Sequence, residues 1–171
     1  MKKVSNFIGV AAGTASVGTM PAVRDRKMSK VAVVYWSGTG NTQACAEAVV
    51  DGAKAAGAEV ECFSVSEFDV SSTGNYDSVA LGCPAMGDEV LEESEFQPAY
   101  DEMKPLLQGK KVALFGSYGW GDGQWMRDWE DRMADAGAVV LNGEGLICQE
   151  APDDDALEAC EALGEQLAAL V

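Results

Sequence analysis

The sequence predicts an α/β fold, a parallel β-sheet with helices packed on both faces. Three observations predict it. Five strand-like runs alternate with segments of helical period, the pattern of repeated β-α-β units. The first run, "KVAVVYW", is apolar throughout, as a strand covered on both faces must be. A length of 171 residues with 47% hydrophobic composition suits one domain with a substantial core.

Each element has its own signal. Thr42 to Gly57 is predicted helical, with Cys45, Ala48, Val49 and Gly52 on one face and Gly57 as the stop. "AEVECFSV" alternates as a second strand, and "SVALGC" is the third after the polar loop "SSTGNYD". "QPAYDEMKPLLQG" reads as a helix from about Pro98, followed by the fourth strand, "KKVALFGSYGW". "DGQWMRDWEDRMADAG" places Trp125, Trp129 and Met133 at i, i+4, i+8, one helical stripe. "AVVLNGEGLICQ" is expected as a fifth strand with a glycine-containing irregularity. The last helix opens with Pro152 and three aspartates, where the helix dipole favours them. Leu157, Cys160, Leu163, Gly164, Leu167 and Val171 form its buried stripe.

Ligands of open parallel sheets bind beyond the carboxyl ends of the strands, where strand order switches. That rule selects three loops: 37–42, 83–93 and 117–123. The first, "SGTGNT", offers the hydroxyls of Ser37, Thr39 and Thr42, the amide of Asn41, and backbone N–H groups at a helix start. It lacks the lysine of a nucleoside-triphosphate loop and the spacing of a dinucleotide fingerprint. What remains suits one terminal phosphate, held by neutral donors and the helix dipole. The second, "CPAMGDEVLEESEF", sets Met86 beside Gly87, with Asp88 and Glu89 following. The third, "SYGWGDGQW", sets Trp120 between two glycines, a placement suited to presenting the ring to a ligand. Together the second and third loops form a slot for something flat.

Charge and cysteines narrow the function class. The net charge is -16. Residues 1–29 carry five basic residues against Asp25 alone, leaving seven basic and 27 acidic residues in 30–171. That acidic field disfavours nucleic acid and anionic membranes and steers the domain towards basic partner proteins. Five cysteines, odd in number and in apolar contexts, read as reduced, mostly packed thiols of a reducing compartment, so a cytoplasmic location is expected. Without histidine or clustered cysteine no metal site is expected, and histidine acid–base chemistry is excluded. The basic, weakly apolar start loosely imitates a secretion signal, but polar residues interrupt it and no A-x-A site follows. Residues 1–29 are therefore expected to be a disordered extension or an early start, and 30–171 the folded domain.

The succession S-G-T-G-N-T, C-P-A-M-G-D-E and G-S-Y-G-W-G-D-G closely resembles the short-chain flavodoxins, over essentially 30–171. The resemblance implies a flavodoxin-like three-layer α/β/α sandwich, sheet order 2-1-3-4-5, and non-covalently bound flavin mononucleotide (FMN). It implies that Ser37, Gly38, Thr39, Gly40, Asn41 and Thr42 hold the phosphate. Met86, in the segment Ala85–Glu89, and Trp120 would cover the two ring faces. Glu89 would accept the ring N3–H, and the Gly87 carbonyl would turn to N5–H on reduction. Ser117, Tyr118, Gly119 and Gly121 would shape the second wall. An uncompensated phosphate, with Asp88, Glu89 and Asp122 near it, penalises further negative charge on the ring and makes a low-potential one-electron carrier. The implied protein is no enzyme but a monomer that serves redox partners with basic docking surfaces. An FMN-dependent NAD(P)H or quinone reductase of the same fold is the alternative, but it needs substrate room over the ring that Met86 and Trp120 would close. A phospho-receiver domain shares the fold but needs an acidic pocket and a lysine where this chain has "SGTGNT" and "GSYGWG".

Overall fold

The computed structural model describes residues 29–169; the expectations for 1–28 and for Val171 lie outside the described residues. Its elements are β1 (Lys30–Tyr35), α1 (Asn41–Ala55), β2 (Glu59–Ser64), β3 (Ser78–Gly82), α2 (Phe96–Met103), β4 (Lys111–Tyr118), α3 (Gln124–Asp135), β5 (Val139–Val140), β6 (Leu146–Gln149) and α4 (Asp154–Ala169). The sheet order is β2-β1-β3-β4-β5, with β6 also paired to β4, and all these ladders are parallel.

Alternate side chains of the apolar strands feed two cores, because successive residues point to opposite faces. Ala32, Val34, Val79, Leu81, Val112 and Leu114 meet α2 and α3 through Phe96, Tyr100, Met103, Trp125, Trp129 and Met133. Val31, Val33, Ala80, Ala113 and Phe115 meet α1 and α4 through Cys45, Val49, Ala53, Cys160, Leu163 and Leu167. The predicted stripes of α1, α3 and α4 are thus the buried ones, with Leu157 packed at the margin. The helices α1 and α4 cross backbone to backbone. A Cβ on Gly52 would lie 1.9 Å from the Glu161 carbonyl oxygen, and one on Gly164 would lie 2.0 Å from that of Val49.

Three expectations are corrected. The second helix starts at Phe96 rather than about Pro98. The Glu92 carboxylate accepts the Ser94, Glu95 and Phe96 N–H groups, each at 2.8 Å, and so opens the helix two residues early. The fifth strand is two short strands. Asn142, at φ 65°, and Gly143, at φ 75°, turn the chain out of the ladder between them. Cys62 is exposed rather than packed, because β2 is an edge strand and leaves it open to solvent.

Candidate cofactor site

The carboxyl ends of β1, β3 and β4 deliver the three predicted loops to one edge of the sheet. Between them lies a cavity of about 320 Å³, lined by Trp36, Gly38, Thr39, Asn41, Pro84, Ala85, Met86, Ser117, Tyr118, Gly119 and Glu150. A wider hollow, about 430 Å³, lies elsewhere, between the β5–β6 link and the middle of α4. It touches none of the three predicted loops and no helix N-terminus.

At one end of the cavity stands the start of α1. Its N-cap, Gly40, sits at φ 95° and has no side chain of its own to cap the helix. Ser37 Oγ accepts the Gly40 N–H at 3.0 Å and the Gln43 N–H at 3.3 Å, which curls the loop over the helix end. The N–H groups of Ser37, Gly38, Thr39, Asn41 and Thr42 bond to no other described residue. Free amides at a helix N-terminus are anion donors, and no cation lies in the loop to compete. Thr42 is 1% exposed, and its Oγ1 lies 3.0 Å from Ser117 Oγ, fastening the cradle to β4.

The middle of the cavity is apolar and flat-sided. Trp36, Pro84, Ala85, Met86 and Tyr118 are all half-buried there. Trp36 Nε1 donates to Glu95 Oε1 at 2.9 Å, which holds its ring in place. Met86 and Val90 exchange backbone hydrogen bonds at 2.9 and 3.2 Å, closing Gly87, Asp88 and Glu89 into a tight turn. Gly87 is at φ 29° and Glu89 at φ 56°. This turn is anchored from below. Leu91 is buried, and the buried Cys83 sulfur accepts the Glu92 N–H at 3.3 Å. Burial pushes the Cys83 thiol up to about 12, so it stays protonated and inert. Burial also pushes the Glu92 carboxyl upward, but its hydrogen bonds from Phe96, Glu95 and Ser94 outweigh this and hold it below the ordinary value.

Eight predicted residues line the cavity: Gly38, Thr39, Asn41, Ala85, Met86, Ser117, Tyr118 and Gly119. Ser37, Gly40 and Thr42 are outside the lining; Ser37 Oγ accepts the Gly40 N–H, and the Thr42 hydroxyl meets Ser117. Gly87 and Asp88 are exposed on the rim, as are Trp120 and Gly121. Trp120 is 64% exposed and outside the lining. The Glu89 carboxylate turns towards α3, where Oε1 accepts the Gln124 N–H at 2.9 Å and leaves Oε2 free of that bond. Asp122 is paired with Arg127 at 2.9 Å, so one of the three acids near the slot is compensated. Trp36, Pro84 and Glu150 are lining residues that the sequence reading missed. Glu150 directly follows β6, and the carboxyl-end rule applied to the fifth strand as well would have reached it.

The residues present fit FMN. A helix start with free N–H groups suits its phosphate, and the apolar walls beside it suit its ring. Among the described residues no group of three potential ligands could hold a metal ion, and no helix is long and apolar enough to cross a membrane.

Comparison with known proteins adds independent findings. The flavodoxin family model matches residues 33–164. The chain is 51% identical over 136 residues to the flavodoxin of Clostridium beijerinckii, covering 80% of this chain and 97% of that protein. It is 47% identical over 138 residues to the flavodoxin of Megasphaera elsdenii, covering 81% and 98%. The solution structure of two-electron reduced Megasphaera elsdenii flavodoxin matches with a TM-score of 0.73 at 48% identity, covering 81% and 98% of the two chains.

Proposed function

The chain belongs to the flavodoxin family, and from that premise we propose which of its residues hold and tune the flavin. The protein is an electron carrier that binds FMN and passes electrons to redox partner proteins; it is not an enzyme. Bound FMN supplies the one-electron redox chemistry. The observation that carries the residue assignment is the start of α1, where the Asn41 and Thr42 N–H groups are free and no cation lies in the loop.

On this reading the Ser37–Thr42 loop takes the phosphate through backbone N–H groups, with Thr39 and Asn41 facing it. Ser37 and Thr42 brace the cradle from behind. Met86 would cover one ring face and Trp120 the other, with Ala85, Ser117, Tyr118, Gly119 and Gly121 shaping the walls. Glu89 would offer Oε2 to a ring N–H while Oε1 stays on α3. Gly87 would be free to turn its carbonyl towards the ring.

The low potential follows from charge. The cradle leaves the phosphate uncompensated, and Asp88 and Glu89 add negative charge at the rim. Asp122 adds less, because Arg127 neutralises it. The same acidic rim is the docking face for basic partners, and the domain works as a cytoplasmic monomer.

A spectroscopic reduction titration of the FMN-loaded protein tests this reading. Two resolved one-electron steps are expected, both at low potential. Steady-state NAD(P)H oxidation without a separate reductase should be negligible. Appreciable turnover, or a single two-electron step, would overturn the carrier assignment.

A further inference from the structure

Behind the phosphate cradle two sulfurs meet. Cys45 Sγ, on α1, lies 3.5 Å from Cys148 Sγ, on β6, across 103 residues of sequence. Cys45 is one turn beyond Thr42 and 2% exposed, while Cys148 is half-exposed. In the ladder Cys148 lies opposite Ser117, the residue whose hydroxyl meets Thr42. The pair therefore sits directly under the contact that fastens the cradle to the sheet. Cys160, on α4, is 1% exposed and packs in the same core.

We propose that Cys45 and Cys148 are an oxidative modification site, at which a small disulfide converts them into an intramolecular disulfide joining α1 to β6. Cys148 reacts first, because it alone of the two is open to solvent. Its thiolate attacks one sulfur of the reagent, RSSR. The reagent S–S bond breaks, and one RS⁻ leaves and takes up a proton. The Cys45 thiolate then attacks the Cys148 sulfur of the mixed disulfide. The Cys45–Cys148 bond forms, and the second RS⁻ leaves and is protonated in turn. Two protein thiols are oxidised, and one RSSR is reduced to two RSH.

Geometry favours this product. A disulfide is about 2.05 Å long, so the sulfurs need approach by only about 1.5 Å. Their surroundings set the pace and the reagent. The bond to Cys148 lowers Cys45, but Cys160 and burial outweigh it and push that thiol up to about 12. The bond to Cys45 and then burial push Cys148 up as well, with Asp153 adding to the rise. Reaction is therefore slow, and the nearby Asp153 favours a cationic disulfide over an anionic one.

The test treats the full-length, FMN-loaded protein with excess cystamine, quenches with an alkylating agent and maps the cysteine peptides. A Cys45–Cys148 bridge is expected, while exposed Cys62 carries only a cystamine adduct. Oxidation should raise the urea midpoint, because the bridge constrains the unfolded chain. Cys148→Ser should abolish both the bridge and the rise, and Cys160→Ser should keep both. A lasting cystamine adduct on Cys148, or a bridge from Cys45 to Cys160, would overturn the proposal. So would an unmodified Cys148 beside fully reacted Cys62.

Discussion

Thr42 Oγ1 and Ser117 Oγ lie 3.0 Å apart, joining the first turn of α1 to the end of β4 across 75 residues. The Ser117 N–H reaches the same threonine oxygen at 3.4 Å. Since Thr42 is 1% exposed, its hydroxyl braces the start of α1 from the protein interior. A site whose donors are backbone amides needs such a brace, because a helix start that moves carries every amide with it.

Replacing Thr42 by Val keeps the shape and removes the brace. FMN binding should weaken by about 0.5–1.5 kcal/mol, the range for loss of a hydrogen bond between neutral groups. That is roughly a twofold to tenfold rise in Kd. Riboflavin, which has no phosphate, should bind almost as before. Fluorescence titrations of the apoprotein with both ligands decide the matter, and an equal loss for both would mean the phosphate lies elsewhere.

The Glu92 carboxylate accepts three N–H groups at the start of α2 and lies directly behind the Met86–Val90 turn. Its folded-state value is held below the ordinary one, burial being outweighed by those hydrogen bonds. Its contribution to stability is therefore complete above the unfolded carboxyl value, about 4.3, and is lost as pH falls through the lower folded value. Glu92→Ala should cost about 0.5–2 kcal/mol at pH 7, as for loss of an N-cap. The gap between mutant and wild type should narrow below about pH 4. Urea unfolding curves across that window provide the check; a gap independent of pH would leave the charge without a role.

The Gly52–Gly164 crossing gives a prediction on stability alone. A Cβ at Gly164 would meet the Val49 carbonyl oxygen at 2.0 Å and the Ala53 nitrogen at 2.9 Å, both backbone atoms that yield only if a helix shifts. Gly164→Ala should destabilise the apoprotein by about 1–3 kcal/mol through overpacking. Gly74→Ala, in open space, is the control and should change little. Equal midpoints for the two variants would show that α4 slides freely on α1.

These contacts also mark where sequence stopped being informative. β1, β3 and β4 were legible because burial on both faces leaves an apolar run that needs no partner to be recognised. The stripes of α3 and α4 were legible through their period. The start of α2 was not, since its cap comes from Glu92, four residues upstream of Phe96, and Pro98 gave the stronger local signal. The split of the fifth strand depends on Asn142 taking a left-handed conformation, which residue type permits but does not dictate. At the site, the loop motifs exposed the cradle and the Met86 turn. Trp36 was absorbed into the apolar strand run, and Glu150, just past the end of the fifth strand, sits in no motif that would single it out. The pairings Thr42–Ser117 and Cys45–Cys148 are tertiary, and nothing local encodes them.

Trp120 differs sharply in burial from the two tryptophans that follow it. It is 64% exposed, whereas Trp125 and Trp129, within nine residues of it, are at most 1% exposed. A side chain that buries so little apolar surface contributes little to folding. Trp120→Ala should therefore leave the urea midpoint of the apoprotein unchanged. If the indole covers one ring face, its loss removes an aromatic pair worth about 0.5–1.5 kcal/mol beyond area burial. FMN and riboflavin should both weaken by a similar factor, up to about tenfold, because they share the ring. This is the opposite signature to Thr42→Val, which discriminates between the two ligands. Measured together, the two variants locate phosphate and ring independently. A fall in apoprotein stability with unchanged affinity for both ligands would make Trp120 a loop anchor and remove it from the cofactor site.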